Sequence, residues 1–447
     1  MQKLTLCVAI VTLMASSSAT LAAVSADEAA KLKTTLTPLG GERAANKDGS
    51  IPAWDGKKSI SASPKVGDIP SNPFPGEKPL LQITAKNMAQ HADRLSEGTK
   101  ALFAKYPETF RIDVYPTHRT SVAPQYVYDN TFKNATNCKT KGDGHSVEGC
   151  YGGIPFPIPK VGVEAVWNYL LRVEAEATEV SFKNILVTSD GKRTLATHNE
   201  QVNQYPYYYK DGSVEKWSGE YFLQRFSTIA PPFKAGESLV IRDGIDEATP
   251  RQTWQYLVGQ RRVRRAPTVA YDTPDFVSSG ANYFDEVMGI MGHPDRYQWK
   301  LVGKKEMYVP YNSNALVTSK EADFFTSAHA NPDKARWELH RVWEVEATVA
   351  AGKRHAVPKR TYYFDEDTWL LVLMDGYDSQ GKLWRTTQGY PYVVPAIPAV
   401  VIKPVTVFDL QKGTSSTVQF LDSFKVLPKR KPEIYFTGDA VAADASR

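Results

Sequence analysis

The sequence contains few of the groups from which catalytic and metal sites are built. Its 447 residues include three cysteines and eight histidines. The histidines are scattered, with neither the H-x-H nor the H-E-x-x-H spacing that suits a metal ion. There is no G-x-S-x-G elbow for a serine nucleophile and no glycine-rich loop for phosphate. We therefore predict no catalytic residue, no metal site and no cofactor.

Positive charge is too thinly spread to indicate a nucleic-acid-binding protein. The formal net charge is +5, and 23% of the residues are charged. One basic run stands out, Arg261–Arg265, but nucleic-acid binding requires a wider positive surface. We interpret this run as the solvated end of a hairpin. The alternative is that Arg262 and Arg264 dock onto anionic lipid head groups or onto a membrane partner.

The apolar run near the N-terminus is too short to cross a bilayer as a stable helix. It covers Leu4–Met14, follows the positive charge of Lys3 and precedes a stretch rich in alanine, serine and threonine. This pattern is typical of a secretory signal peptide. We predict that residues 1–22 are removed by cleavage after Ala22, with Val24–Ala26 as the alternative site, and that the mature protein is periplasmic.

Two cysteines are left once the signal peptide is removed, Cys138 and Cys150. In an oxidising compartment an isolated pair most simply forms a disulfide. A metal site is not indicated, because only His145 lies between the two thiols and a fourth ligand is missing. We predict a disulfide that closes a short loop.

Aromatic residues are plentiful: 23 tyrosines, 18 phenylalanines and nine tryptophans. Such rings suit strands and apolar clefts, because they bury a large area and keep a polar tip. Apolar and polar residues alternate along much of the chain, and this pattern predicts mostly strands. The predicted strands are Phe110–Tyr115, Gln125–Tyr128, Phe182–Thr188, Arg193–Val202, Leu239–Arg242, Thr253–Val258, Tyr297–Gly303, Glu306–Pro310, Arg336–Val349, Lys359–Phe364 and Leu370–Met374.

Fewer segments have the pattern of a helix. A first helix is predicted from Ser25 to about Thr35, because Ser25 and Glu28 have the spacing of a capping box. Further helices are predicted at Thr84–Tyr106, Val163–Val173 and Tyr283–Met288.

The strand Arg336–Val349 has the cleanest period-two pattern in the chain. Trp337, Leu339 and Trp343 share one face, and Glu338 and His340 share the other. This alternation predicts one buried and one solvated face.

Two stretches resemble the outer-membrane lipoprotein-sorting superfamily, which includes LolA and LolB. In 251–313 a strand is followed by a basic turn, an acidic helix and a strand that ends in Val-Gly-Lys. In 363–385 the order of strands and turns is similar to that superfamily's closing hairpins. The resemblance implies a half-open antiparallel barrel that holds acyl chains against its apolar concave face. Its small carriers are about half as long as this chain, so their lipoprotein cargo is not carried over.

A narrower resemblance is carried by Thr37–Trp54, which reads TPLGGERAANKDGSIPAW. This segment is similar to one shared by a family of exported proteobacterial proteins of unknown function. The resemblance extends over nearly the whole mature chain.

We predict a mainly β fold with some helices: a large curved antiparallel sheet, as in a half-open β-barrel, with helices on its concave side. An extended N-terminal arm is expected over residues 23–80. The half-barrel domain, with helical insertions and a C-terminal tail, is expected over 81–447.

The function that follows is a periplasmic binding or carrier protein for a lipid, fatty-acid derivative or sterol-like molecule, in envelope lipid or lipoprotein trafficking. An inner-membrane exporter and an outer-membrane protein are the partners that the resemblance implies, and no nucleic acid is expected. The predicted apolar lining is Trp254, Tyr256, Trp299, Trp337, Leu339 and Trp343. The predicted polar or docking residues are His118, Arg119, Arg262 and Arg264.

Other functions stay open at this point. A secreted hydrolase would use His118 or the acidic turn Asp365–Asp367, although turns collect acidic residues for structural reasons. An envelope scaffold would bind a polymer without turnover. The aromatic faces have an alternative interpretation too, because such stripes usually form a core.

Overall fold

Most of the chain folds into strands. The structure is a computed structural model that describes residues 23–56, 64–66, 68–326 and 328–445, so the predicted signal peptide lies outside the described residues. The strands are β1 (Pro64–Val66), β2 (Ile69–Pro70), β3 (Leu81–Ile83), β4 (Ile112–Val114), β5 (Lys139–Lys141), β6 (Ser146–Glu148), β7 (Ala177–Val187), β8 (Arg193–Gln204), β9 (Glu220–Ala230), β10 (Ser238–Gly244), β11 (Gln252–Leu257), β12 (Arg262–Arg265), β13 (Tyr297–Pro310), β14 (Trp337–Val349), β15 (Lys359–Asp365), β16 (Leu371–Tyr377), β17 (Leu383–Val394), β18 (Ala399–Asp409) and β19 (Thr414–Val426).

The helices are short. They are α1 (Ala26–Ala30), α2 (Glu97–Lys105), α3 (Gln125–Asn137), α4 (Gly162–Leu170), α5 (Phe284–Met288), α6 (Asn314–Val317), α7 (Glu321–Phe324) and α8 (Gly438–Ala445). In the described part of the chain, none has the length and hydropathy required to span a bilayer.

Fifteen strands form one sheet among the described residues, in the order β12-β11-β10-β9-β8-β7-β19-β18-β17-β16-β15-β14-β4-β3, with β13 also paired to β14. Adjacent strands are antiparallel, except for a single parallel pairing between β4 and β14. The sheet is curved and does not close on itself. This confirms the predicted fold class.

Local sequence signals predict several elements correctly. Ser25 caps α1, and Glu28 completes the capping box. Ser189–Gly191 joins β7 to β8, as expected for a hairpin turn. The two strands predicted at Tyr297–Gly303 and Glu306–Pro310 are one strand, β13, whose pairing with β14 shifts register at Leu301–Gly303.

Two element predictions are wrong. Gln125–Tyr128 is not a strand but the first turn of α3, which starts after Pro124 and buries Val127 and Ala135 along one side. Proline before a helix is favourable because its φ is preset and its missing N–H is not needed there. The predicted helix Thr84–Tyr106 is broken at Leu95, between a 3-10 segment and α2.

The alternation along β14 predicts burial correctly for only half of the strand. From Val345 to Val349 buried and more exposed residues alternate, but from Trp337 to Val342 both faces are buried. Glu338 and His340 are therefore in the interior, where the pattern predicted solvent. Polar residues can occupy both sides of a strand when other polar groups cover them.

Helices α4 and α5 lie on the concave face of the sheet. Helix α4 packs against β13 and β14, and α5 packs against β18. Val287 of α5 contacts the cluster formed by Val405, Val407 and Val418. We call the segment 266–296, which carries α5, the plug.

The C-terminal helix α8 packs against β10, β11 and β12. It covers a cluster that contains Leu223, Val240, Trp254 and Tyr256. Val240 pairs with Trp254 across β10 and β11, so their side chains share a face. Leu239 and Ile241 alternate with Val240 and contact the plug instead. Helix α8 and the plug thus lie on opposite faces of these strands.

Cys138 and Cys150 form the predicted disulfide, which joins the end of α3 to the segment after the hairpin β5–β6. We expect no free thiol when the mature protein is denatured and titrated. Replacement of both cysteines by serine should lower the free energy of unfolding by about 3 kcal/mol, because the short loop is then unconstrained in the unfolded chain. Two titratable thiols in protein from the oxidising compartment would contradict this prediction.

Candidate functional site

Arg119 forms hydrogen bonds both to the N-terminal arm and to the turn after β15. Its Nε and Nη2 atoms donate to both carboxylate oxygens of Asp367, at 2.8 and 2.7 Å. The remaining N–H groups donate to the backbone carbonyls of Glu42, Arg43 and Pro52 in the arm. The guanidinium is almost fully buried. A bidentate arginine–carboxylate pair is geometrically specific, so this contact sets the position of the arm.

The acidic turn after β15 is part of the same network. Glu366 accepts from Arg341 at 3.2 Å and from Lys304 at 2.8 Å. The side-chain N–H of Trp369 donates to the carbonyl of Leu39 at 2.8 Å. The segment Thr37–Trp54, which carries the family resemblance, therefore lies against the turn. These contacts explain why a loop rich in turn-forming residues is ordered.

Asp365 is the least satisfied carboxylate of this turn. One oxygen accepts from Thr368 and Tyr311, whereas its Oδ1 is buried without a hydrogen-bond partner among the described residues. Burial, and next the charge of Asp367, raise the pKa of Asp365 to about 7. His340 lies 3.7 Å from Oδ1 through its Nδ1 atom.

His340, Asp365 and Asp367 present ligand atoms that all lie within 4.8 Å of one another. The chemistry of the set does not favour a metal ion. Both oxygens of Asp367 already accept from Arg119, and a guanidinium at that position repels a cation. We interpret these side chains as a structural ion-pair network.

His118 is half-buried at the surface end of this network. Its Nε2 lies 2.7 Å from Glu77, its ring stacks on Phe74, and its backbone N–H donates to Glu338. No hydroxyl or thiol nucleophile is within hydrogen-bond distance of the ring among the described residues. The arrangement holds the loop in place. Arg262 and Arg264 are far from it in the fold, on the exposed edge strand β12, so the predicted docking residues do not form one site.

The six aromatic and aliphatic residues predicted to line a cavity lie in different surroundings. Trp254 and Tyr256 face α8. Trp299 donates its indole N–H to the carbonyl of Pro294 at 2.7 Å. Trp343 stacks on Trp369 near Lys304. The other two, Trp337 and Leu339, are buried in the main core.

Buried ion pairs hold the plug on the concave face. Asp285 of α5 accepts from Arg360 at 2.6 and 3.0 Å, and from His355 at 2.9 Å. Burial opposes ionisation of Asp285, but Arg360 and His355 outweigh it and lower the pKa of the carboxyl. The neighbouring Glu286 pairs with Arg385 of β17. We interpret these pairs as contacts that set the position of the helix, because buried ion pairs add little net stability.

Three small cavities of about 20, 30 and 20 Å³ lie between the plug and the sheet. Met288 lines all three. The second has a largely apolar lining that includes Phe182, Phe226 and Phe284. Spaces of this size hold one or two waters each. An apolar ligand would therefore need to displace Met288 or the plug as a whole.

A model of the family described as a protein of unknown function, DUF1329, matches residues 82–442. The chain belongs to the DUF1329 family. An uncharacterized protein of Pseudomonas aeruginosa is 40% identical over 399 residues, which is 88% of this chain and 87% of that protein. The prediction from Thr37–Trp54 that the chain belongs to a family of unknown function is confirmed.

Two solved structures are similar to this DUF1329 chain over part of its length. One is a DUF1329 family protein from Desulfovibrio piger, with 13% identity, a TM-score of 0.43 and coverage of 62% of this chain and 95% of that one. The other is a Vibrio parahaemolyticus domain assigned to outer membrane lipoprotein sorting, with 12% identity, a TM-score of 0.43 and coverage of 63% and 98%. The fold itself follows from the strand pairing described above.

Sequence reasoning missed the residues that surround the plug. Arg172, Asn203, Gln224, Lys403 and Gln419 line one of its cavities, and they come from the end of α4 and from strands β8, β9, β18 and β19. A polar residue among apolar ones on a strand is the signal that was available. It does not say which strands face each other across a cavity.

Proposed function

We propose that this protein is a periplasmic carrier that binds an apolar ligand on the concave face of its sheet, beneath the plug, without covalent chemistry. The observation that carries the proposal is the set of three cavities that Met288 lines, within an unclosed curved sheet. Binding would be driven by removal of the ligand's apolar surface from water, at about 25 cal/mol per Å². The plug is the element that a ligand displaces.

Further features support export. Lys3, the apolar run Leu4–Met14 and Ala22 form the sequence pattern of a signal peptide. A disulfide is also typical of proteins in oxidising compartments. We propose envelope lipid or lipoprotein trafficking as the role, with an inner-membrane exporter and an outer-membrane protein as partners.

Truncation of Met288 to alanine is expected to raise the affinity for an apolar fluorescent probe at least tenfold, which corresponds to about 1.4 kcal/mol. The substitution removes the side chain that lines all three cavities, so the probe has less packed protein to displace. Stability should fall by about 2 kcal/mol, at the low end for such truncations, because Met288 is only half-buried. Probe titration and thermal unfolding measure the two effects.

Met307→Ala is the matched control. Met307 is fully buried in the main core and lines none of the three cavities, so its truncation should cost stability without raising probe affinity. Trp343→Ala tests the lining that the sequence predicted, which stays a prediction. A tenfold loss of affinity for Trp343→Ala, with no change for Met288→Ala, would move the ligand site to that face.

A further inference from the structure

The cavity between Met288 and β18 has a polar end built from hydrogen-bond donors without partners. Thr387 and Arg172 both line it. The Oγ1 atom of Thr387 and the Nε atom of Arg172 are buried with no hydrogen-bond partner in the described part of the chain. A buried donor without an acceptor costs about 1–3 kcal/mol, so two around one cavity call for an explanation.

Arg172 is held in place by its other atoms. Its Nη1 donates to the carbonyl of Tyr169 at 2.9 Å, and its Nη2 lies 3.1 Å from Glu174. The guanidinium is thus oriented by the protein, and its Nε–H group has no acceptor among the described residues. Preorganised donors of this kind cost little to use when a ligand arrives.

Lys403 provides a second cation at the same cavity. It comes from β18 and is half-buried. Within the described part of the chain its ammonium group has no hydrogen-bond partner. Burial lowers the pKa of Lys403 to about 8, and the charge of Glu174 opposes this shift. Glu174 is the negative charge that acts on this ammonium group.

The local charge is positive. Arg172 and Lys403 carry two positive charges, and Glu174 provides one negative charge against them. Asp243 and Arg251, which line a neighbouring cavity together with Arg172, pair with each other and add no net charge. One negative charge on a ligand would balance the site.

We propose that this polar end binds the carboxylate of a long-chain fatty acid or another carboxylate-bearing lipid, with Lys403 and Arg172 as the recognising cations and Thr387 as a third donor. This assignment rests on the proposed carrier function and names its ligand class. The acyl chain would extend past Met288 into the neighbouring cavity, which Phe182, Phe226 and Phe284 line.

A carboxylate fits better than a phosphate for reasons of charge and size. A single negative charge balances the excess, whereas a phosphate monoester would bring nearly two. The cavity of about 20 Å³ holds one or two waters, which the two oxygens of a carboxylate can replace. A carboxylate also needs only a few donors, and the site offers three.

The test compares a fluorescent fatty acid, cis-parinaric acid, with its methyl ester. We expect the mature wild-type protein to bind the acid at least tenfold more tightly than the ester, because the ester cannot pair with the cations. Lys403→Met keeps the apolar stem and removes the charge. It should weaken acid binding about tenfold and leave ester binding unchanged.

Two control variants distinguish the effect of the charge at position 403 on acid affinity from the general effect of losing a lysine. Lys403→Arg should keep acid affinity within about threefold of wild type. Lys300→Met removes an exposed lysine on β13 and should change neither affinity. Competition by dodecanoate and by dodecyl phosphate compares the affinity of the site for the two head groups.

The possible results distinguish failure of the carboxylate site from failure of the carrier function. Equal affinity for acid and ester, unaffected by Lys403→Met, would overturn the carboxylate site and leave the carrier function intact. Stronger competition by dodecyl phosphate would also overturn the assignment to a carboxylate. Binding of neither probe, even to Met288→Ala, would overturn the carrier function and this inference with it.

Discussion

Replacement of Arg119 by methionine is expected to lower the free energy of unfolding by about 3–5 kcal/mol. The change leaves the buried carboxylate of Asp367 without its bidentate partner, and such unpaired buried charges carry this cost. Three backbone carbonyls of the arm lose their donor at the same time. Denaturant unfolding of the mature protein measures the loss, and limited proteolysis should show early cleavage within residues 40–54.

Arg262→Met is the matched control, because it removes the same group from the exposed strand β12 and should change stability by no more than about 0.5 kcal/mol. The double variant Arg119→Met with Asp367→Leu removes both charges and should recover part of the loss. An Arg119→Met protein that unfolds within 1 kcal/mol of wild type, with an uncleaved arm, would show that the ion pair does not hold the arm.

Asp365→Asn is expected to stabilise the protein at pH 8 by roughly 4 kcal/mol and to have little effect at pH 4. The pKa of Asp365 is raised from 3.8 to about 7 in the folded protein, chiefly by burial and then by Asp367. Between pH 4 and pH 7 the unfolded chain releases a proton that the folded protein keeps. The folded state therefore becomes less stable as the pH rises, by 1.36 kcal/mol for each unit of the pKa difference.

Asparagine stays neutral, so the variant should lose this dependence while its side-chain oxygen still accepts from Thr368. Thermal unfolding between pH 4 and pH 8 measures the effect. The exposed Asp129 on α3 provides the control, since Asp129→Asn should shift the curve by less than about 0.5 kcal/mol at each pH. Parallel wild-type and Asp365→Asn curves would mean that Asp365 is ionised throughout.

Arg119 and Asp365 belong to the network around the turn after β15, whereas the proposed carrier function depends on the plug. Arg119 and Asp367 lie where the arm meets the turn after β15. Asp285 and Arg360 hold α5 on the concave face. A variant that releases the arm without affecting probe binding would show that the two elements act independently.

Signals that operate over a few residues were predictable. Ser25 and Glu28 cap α1, Ser189–Gly191 turns the chain between β7 and β8, and the isolated cysteines pair. Each depends on backbone geometry or on one chemical bond, so tertiary packing does not have to be known. The mainly β fold is predictable for the same reason, because period two is a local property of a strand.

The predictions that were wrong share a different cause. Gln125–Tyr128 has the residues of a strand, yet it starts α3 because packing of Val127 and Ala135 against the body outweighs propensity. Glu338 and His340 occupy the face that alternation assigned to water, because loops carrying His118 and Asn312 cover it. His118 is 220 residues from Glu338 and Asn312 is 26 residues from it, so a short window along β14 contains neither.

The sequence by itself determined the mainly β architecture, the export pattern, the disulfide and the family, because these depend on periodicity, composition and short motifs. Only the tertiary structure decided that Arg119 meets Asp367, 248 residues away in the chain, and that Arg172, Thr387 and Lys403 surround one cavity. A strand pattern states which residues share a face. It does not state which strands curve toward each other, and that curvature brings the donors and the plug together.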